Sequence, residues 1–156
     1  MRRMSEFERY ALDDLPATER LGRTLASLLR AGDSILLEGP LGAGKTALAR
    51  ALLRALCNDP ALEVPSPSYT LVQSYETPEF TVSHFDLWRL DGPAGLVELG
   101  WDDAREGVVL VEWPDRLGAL TPPDALTIRL EPAPEAADQR IATLSGWDHR
   151  RAMLAP

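Results

Sequence analysis

The stretch GPLGAGKT, residues 39–46, combines the residue types that hold a chain of phosphates. It fits the pattern Gly-x-x-x-x-Gly-Lys-Ser/Thr, in which glycines let backbone N–H groups approach phosphate oxygens. A lysine ammonium reaches the β- and γ-phosphates, and a threonine hydroxyl serves Mg²⁺. The alternative is a glycine-rich turn without a ligand. The pattern favours a nucleotide-binding loop that comprises Gly39, Pro40, Leu41, Gly42, Ala43, Gly44, Lys45 and Thr46.

Lys45 is the only lysine among the sixteen basic residues, because all the others are arginine. A planar guanidinium is bulkier than an ammonium and does not fit the same slot in a phosphate loop. Position 45 therefore requires an ammonium specifically. GTPases of the common kind read guanine with an Asn-Lys-x-Asp loop, which needs a second lysine. The sequence therefore favours ATP over GTP.

Two acidic residues follow strand-like segments and are candidates for the second metal ligand. Glu112 follows the apolar run VVLV, and Asp86 follows FTVSHF, which has weaker apolar character. A carboxylate at the end of a strand beside a phosphate loop is suited to bind Mg²⁺. Either residue could instead be an ordinary strand-end carboxylate, and the two metal roles do not exclude each other.

The segments around these residues have the order that a phosphate loop requires, which is strand, glycine-rich turn and helix. Helical spacing predicts helices over 14–30 and 46–57, with one or two short helices within 92–104. Strand patterns are found at 34–38, 69–75, 80–86, 108–111, 125–130 and 141–144. The second and third of these predict a hairpin. The proline-rich stretch 131–134 predicts a turn.

Composition narrows the possible class of protein. The 156 residues, of which 45% are hydrophobic, suit one domain, with 1–13 and 146–156 as loosely ordered tails. No apolar run reaches the roughly 18 residues of a membrane helix, and no secretory signal is evident. The single cysteine, Cys57, forms no internal disulfide, so we expect a cytoplasmic protein. The net charge of −8 argues against strong direct binding of nucleic acid.

Five sequence blocks together resemble one family, and they occur in that family's order across residues 15–130. The family is TsaE, the small bacterial ATPase of tRNA threonylcarbamoyladenosine biosynthesis. Its blocks resemble GPLGAGKT (39–46), SPSYTLV (66–72), HFDLWRL (84–90), ELGWDD (98–103) and VEWPDR (111–116). The resemblance implies an α/β fold, as a single P-loop NTPase domain with a mixed sheet flanked by helices.

The resemblance also implies roles for individual residues. Asp86 corresponds to the family's Walker B aspartate, and Glu112 to its Mg²⁺-binding glutamate. SPSYTLV resembles a switch-like loop in which Thr70 senses the γ-phosphate or the metal, although a turn entering a strand is the alternative. Trp113 would lie near the nucleotide, or simply in the core.

The family's pattern extends less firmly to three other positions. Thr18 and Arg140 would help to border the nucleotide, and His84 is interpreted as a structural strand histidine. The family usually has Thr at the position of Ser68 and Tyr at the position of Trp88. Since Ser keeps the hydroxyl and Trp the aromatic face, these departures leave the assignment intact.

The function implied by the resemblance is slow, Mg²⁺-dependent hydrolysis of ATP to ADP. It would support threonylcarbamoyl modification of the adenosine beside the tRNA anticodon, with the TsaD–TsaB pair as the partner that transfers the group. The protein would meet tRNA only indirectly. Two alternatives are a P-loop small-molecule kinase, for which no arginine-rich lid is evident, and a nucleotide-binding regulator without turnover.

Overall fold

A computed structural model describes residues 7–154, without the side chain of residue 137. Within this range the chain forms seven strands and three α-helices. The strands are β1 (Phe7–Leu12), β2 (Ser34–Glu38), β3 (Val72–Glu76), β4 (Thr81–Asp86), β5 (Val108–Glu112), β6 (Leu126–Ala133) and β7 (Ala136–Ser145). The helices are α1 (Leu15–Leu28), α2 (Lys45–Leu56) and α3 (Trp101–Ala104), with 3₁₀ turns at Pro93–Leu96, Pro114–Leu120 and Arg151–Leu154.

All seven strands join one mixed sheet in the order β1-β7-β6-β2-β5-β4-β3. The central strands β6, β2, β5 and β4 are parallel to their neighbours in that group, whereas β1–β7, β7–β6 and β4–β3 are antiparallel pairs. Parallel neighbours bring their carboxyl ends to one edge, where open α/β sheets bind ligands. The predicted mixed sheet flanked by helices is thereby confirmed.

Two apolar clusters cover the two faces of the sheet. The larger one packs α1 and α2 against one face, and the smaller one includes Phe85 and Trp101, whose rings meet edge to face at 5.2 Å. Gly22 lets the two long helices approach, since a Cβ there would lie 2.7 Å from the Cβ of Ala51. Close packing of α1 on α2 fixes the start of α2 beside the sheet edge.

Most predicted elements are present with small shifts at their ends. Strand 34–38 has the predicted bounds, and the hairpin of β3 and β4 forms. Strand β3 begins at Val72 instead of residue 69, because the preceding chain turns: Leu71 has φ +69° and its N–H donates to the carbonyl of Pro67 at 2.7 Å. Residues 65–71 therefore form a loop over the ends of the strands.

The expectation of loose tails was wrong for the described parts of both ends. Phe7–Leu12 forms β1 along β7, and near the other end Arg151 and Leu154 are buried. The predicted turn at 131–134 was also too long, because β6 continues to Ala133. Pro132 is tolerated there because the parallel pairing of β2 with β6 ends at Arg129, which leaves one edge of β6 open.

None of the helices within residues 7–154 is long and apolar enough to cross a membrane.

Candidate functional site

The phosphate loop runs from the end of β2 to the start of α2, as the sequence predicts. Gly39, Gly42 and Gly44 have φ values of +140°, +76° and +98°, which favour glycine. A Cβ on Gly39 would lie 2.3 Å from the carbonyl oxygen of Leu130, so this position also needs glycine for space. Around Gly42 and Gly44 the space is open. The loop therefore leaves open space beside the N-terminal end of α2, where the helix dipole attracts anions.

Lys45 is buried at the first position of α2, with 5% of its surface exposed. Its Nζ donates to the carbonyl of Gly39 at 2.6 Å and lies 3.6 Å from the ring centre of Trp113. Burial lowers the pKa of the Lys45 ammonium, while neighbouring carboxylates, led by Glu112, act in the opposite direction. An ammonium has three donors, so this lysine keeps donor capacity for a further acceptor.

The two candidate metal ligands lie side by side at the carboxyl ends of β4 and β5. Asp86 and Glu112 are in register across the parallel pair, and both are buried, with 4% and 2% exposure. The Thr46 hydroxyl lies 3.4 Å from Oε1 of Glu112. The structure thus brings the predicted hydroxyl and the two predicted carboxylates to the same place as the phosphate loop.

These three groups are hard oxygen donors, which suit Mg²⁺. Among the described residues there is no group of three or more His, Cys, Asp or Glu side chains arranged to hold a metal. Mg²⁺ does not require one, because it is usually held by one or two carboxylates together with waters and substrate phosphates. Thr46, Glu112 and Asp86 therefore fit Mg²⁺ that arrives with a nucleotide.

The loop before β3 contacts the site through residues that sequence reasoning did not select. The hydroxyls of Ser66 and Ser68 both lie 3.2 Å from Oδ2 of Asp86, and 2.9 Å from each other. Thr70, which the sequence favoured as the sensor, is exposed to solvent. The structure therefore connects this loop to Asp86 through two serines rather than through Thr70.

Aromatic side chains border the buried lysine. Trp113 has φ +59°, an unusual value for a bulky residue, and this conformation places its ring over Lys45. Trp88 packs on Trp113 with ring centres 4.3 Å apart, and 45% of its surface is exposed. Farther out, the Arg89 guanidinium lies over the ring of Tyr69 at 4.3 Å. Trp113 thus lies over the lysine of the phosphate loop and also packs on the smaller apolar cluster.

The two remaining predicted residues have different positions. Arg140, on β7, donates from Nε to the carbonyl of Ala43 at 3.1 Å and from Nη2 to that of Gly42 at 3.0 Å. It therefore braces the phosphate loop. Thr18 is buried in α1, and among the described residues its hydroxyl has no hydrogen bond to the loop.

Known proteins resemble this chain along most of its length. The sequence profile described as "Threonylcarbamoyl adenosine biosynthesis protein TsaE" matches residues 12–141. The tRNA threonylcarbamoyladenosine biosynthesis protein TsaE of Rickettsia felis is 36% identical over 121 residues, which are 77% of this chain and 70% of that protein. The protein of the same name from a Synechocystis species is 40% identical over 116 residues, covering 71% of this chain and 73% of its own length.

A solved structure extends the likeness to the fold. The crystal structure of Bacillus subtilis YdiB superposes with a TM-score of 0.76 at 25% identity, covering 98% of this chain and 94% of that one. As the five sequence blocks predicted, the chain belongs to the TsaE family of tRNA threonylcarbamoyladenosine biosynthesis proteins.

Proposed function

We propose that this protein is an Mg²⁺-dependent ATPase that binds ATP at the phosphate loop, hydrolyses it slowly to ADP, and acts through the TsaD–TsaB pair. Membership of the TsaE family carries the role in tRNA threonylcarbamoyladenosine biosynthesis. One observation carries the ATPase proposal. A buried lysine, a threonine hydroxyl and two buried carboxylates converge at the N-terminus of α2, as phosphate and Mg²⁺ binding require.

The residues of the loop would each bind or orient the nucleotide. The backbone N–H groups around Gly42 and Gly44 would donate to phosphate oxygens, supported by the positive end of α2. Lys45 would donate to the terminal phosphates with the donors that Gly39 leaves free. Trp113 already covers this lysine, so it would exclude water from the reacting end of the nucleotide.

Thr46, Glu112 and Asp86 are the residues that would hold Mg²⁺. When bound, the ion would neutralise charge on the phosphates. Asp86 has a further task, because its second oxygen accepts from Ser66 and Ser68. A change at Asp86 on nucleotide binding would be transmitted directly to the loop at 65–71. Such a loop is the kind of two-state element that ATP biases for a partner.

Two features support slow turnover by the isolated chain. Two arginines beside the site are already engaged, since Arg140 donates to loop carbonyls and Arg89 lies on Tyr69. Arg116 is paired with Asp115 at 3.4 Å. We infer that arginines held in these contacts do not supply the cation that a terminal phosphate beside Lys45 would need. P-loop enzymes that lack such a cation in cis are accelerated by a partner.

The charge of the chain supports contact with tRNA through partners. A net charge of −8 repels a phosphate backbone. We also propose a cytoplasmic location, as expected from the sequence, because it agrees with a role in tRNA modification.

The first test is ATP turnover by the purified protein, alone and with TsaD and TsaB added, with Lys45→Met as control. We expect slow turnover alone, strong stimulation by the pair, and loss of both in the variant. ATP binding without stimulation would indicate that this chain does not act through the TsaD–TsaB pair. Phosphate transfer to a small molecule would support a kinase, and binding without any turnover would support a passive regulator.

A further inference from the structure

His84 has an unusual environment for a strand histidine. It lies on β4 two residues before Asp86, so both side chains leave the same face of the strand. The side chain is fully buried, at 0% exposure, within a sheet face that is otherwise covered by apolar residues such as Val82 and Leu110. A polar ring at such a position is costly unless it is hydrogen-bonded.

The ring has one described hydrogen-bond partner, and it is the candidate metal ligand. Nε2 of His84 lies 2.7 Å from Oε2 of Glu112, while the other oxygen, Oε1, is the one that faces the Thr46 hydroxyl. The two carboxylate oxygens of Glu112 therefore have different partners. One is held inside the protein by the imidazole, and the other is directed toward the phosphate loop.

The surroundings of the two ring nitrogens indicate which one carries the proton in the contact between His84 and Glu112. Nδ1 of His84 is buried and has no hydrogen-bond partner among the described residues. A carboxylate accepts hydrogen bonds, so the proton in this contact is carried by Nε2 of the ring. The Nε2–H group thus donates to Glu112.

We propose that His84 is a positioning residue that fixes the rotamer of Glu112, so that Oε1 is preset toward a metal ion accompanying the nucleotide. The inference rests on the Mg²⁺-nucleotide site proposed above. Metal-binding carboxylates are commonly held by a second hydrogen bond of this kind, and loss of such a partner lowers metal affinity about 10- to 100-fold. Without it, the buried carboxylate could rotate and lose its preset orientation.

The test compares ATP affinity in excess Mg²⁺ with ATP affinity in EDTA, by calorimetric titration of the full chain. We expect wild-type protein to gain affinity from Mg²⁺, and His84→Leu to lose that gain about tenfold or more while its affinity in EDTA is unchanged. His84→Gln, whose amide reaches the position of Nε2, should restore most of the gain. Glu112→Gln should lose at least as much of the gain as His84→Leu, because it removes the carboxylate itself.

The outcomes separate this inference from the proposed function. If wild-type protein gains nothing from Mg²⁺, the Mg²⁺ site itself fails. If wild-type gains affinity and His84→Leu gains equally, the positioning role is overturned and the site stands. Should His84→Leu not fold, His84→Asn replaces it, because its amide is too short to reach Glu112. An Asn variant that keeps the full gain would contradict the inference.

A spectroscopic readout tests the contact without nucleotide turnover. The sequence has two histidines, so the ring nitrogens of His84 can be assigned in NMR spectra by comparison with His84→Gln. We expect the proton on Nε2 and a shift of its resonance when Mg²⁺ is added to ATP-bound protein. A proton found on Nδ1 and not on Nε2 would overturn the inference, because Nε2 could not then donate to Glu112.

Discussion

Two buried cations at opposite parts of the sheet are held in different ways. Arg151, beside the antiparallel half, is 1% exposed and has several partners. Its Nη1 donates to the carbonyl of Gly146 at 2.7 Å and lies 3.3 Å from Asp148, while Nε is 3.7 Å from Glu8. Partners from both ends of the described chain therefore surround this guanidinium.

Lys45, at the carboxyl edge of the parallel half, is 5% exposed but has fewer strong partners. One backbone carbonyl, of Gly39, and the face of Trp113 hold its ammonium. Because a buried charge without full compensation is costly, this arrangement is stable only if other parts of the fold offset it. The contrast indicates that Arg151 joins the two ends of the described chain, whereas Lys45 keeps donors for the ligand proposed above.

The largest expected effect is on stability, at Arg151. Arg151→Ala should lower the free energy of unfolding by about 3 kcal/mol, because it removes a large buried side chain and its hydrogen bond to the Gly146 carbonyl. Urea unfolding measures it. Arg129→Ala, which removes an exposed arginine paired with Glu131, is the control and should cost about 0–1 kcal/mol. A loss of ATP affinity in Arg151→Ala with unchanged stability would contradict a role of Arg151 in stability rather than in ligand binding.

Lys45→Met should have the opposite profile. ATP affinity should fall about 10- to 150-fold, through loss of a charge-assisted contact worth about 1.5–3 kcal/mol. Stability should stay equal or rise, because the substitution removes a buried charge and keeps most of the volume. Calorimetric titration and urea unfolding measure the two quantities. Lys45→Arg is the matched variant and should also bind weakly, since a guanidinium does not fit. Unchanged ATP affinity would contradict the proposed site.

The sequence predicts the fold well where the signal is local and periodic. Strand 34–38 and the apolar run at 108–111 are continuous buried segments, and the structure has them with at most one residue of difference. The segment Phe7–Leu12 was missed because FERYAL is an edge strand with charged residues, whose pairing with β7 is visible only in the folded chain. The late start of β3 depends on the left-handed residue Leu71, which no periodicity announces.

For the candidate site, the residues inside the motifs were predictable, and their supports were not. Lys45, Asp86 and Glu112 follow from local patterns of strand, turn and helix. The contacts of His84 with Glu112 and of Arg140 with the phosphate loop join residues 28 and 97 positions apart. Such pairs arise from strand order and register, which a single sequence does not contain. The same limit applies to the contacts of Ser66 and Ser68 with Asp86, which the sequence did not indicate.

The smallest expected effect is on the pH dependence of the free energy of unfolding in alkaline solution, where the two regions should differ. Burial lowers the pKa of Lys45 below its ordinary 10.5, so in the window below 10.5 the unfolded chain binds more protons and stability should rise with pH. In the Arg151 region, burial and a hydrogen bond to Glu8 raise the pKa of Tyr10 from 10.0 to about 12. Its contribution to stability is complete below pH 10 and is lost as the pH rises through about 12.

The two regions should therefore give slopes of opposite sign when the free energy of unfolding is measured by urea titration from pH 8 to pH 12. Lys45→Met should remove the rise below pH 10.5, and Tyr10→Phe should remove the fall above pH 10. Each variant also serves as the control for the other, because the two groups lie in different parts of the sheet. If the free energy of unfolding still rose with pH in Lys45→Met, burial of the Lys45 ammonium would not be the cause of that rise. That result would contradict a stability cost at Lys45 and would leave the role of Arg151 unaffected.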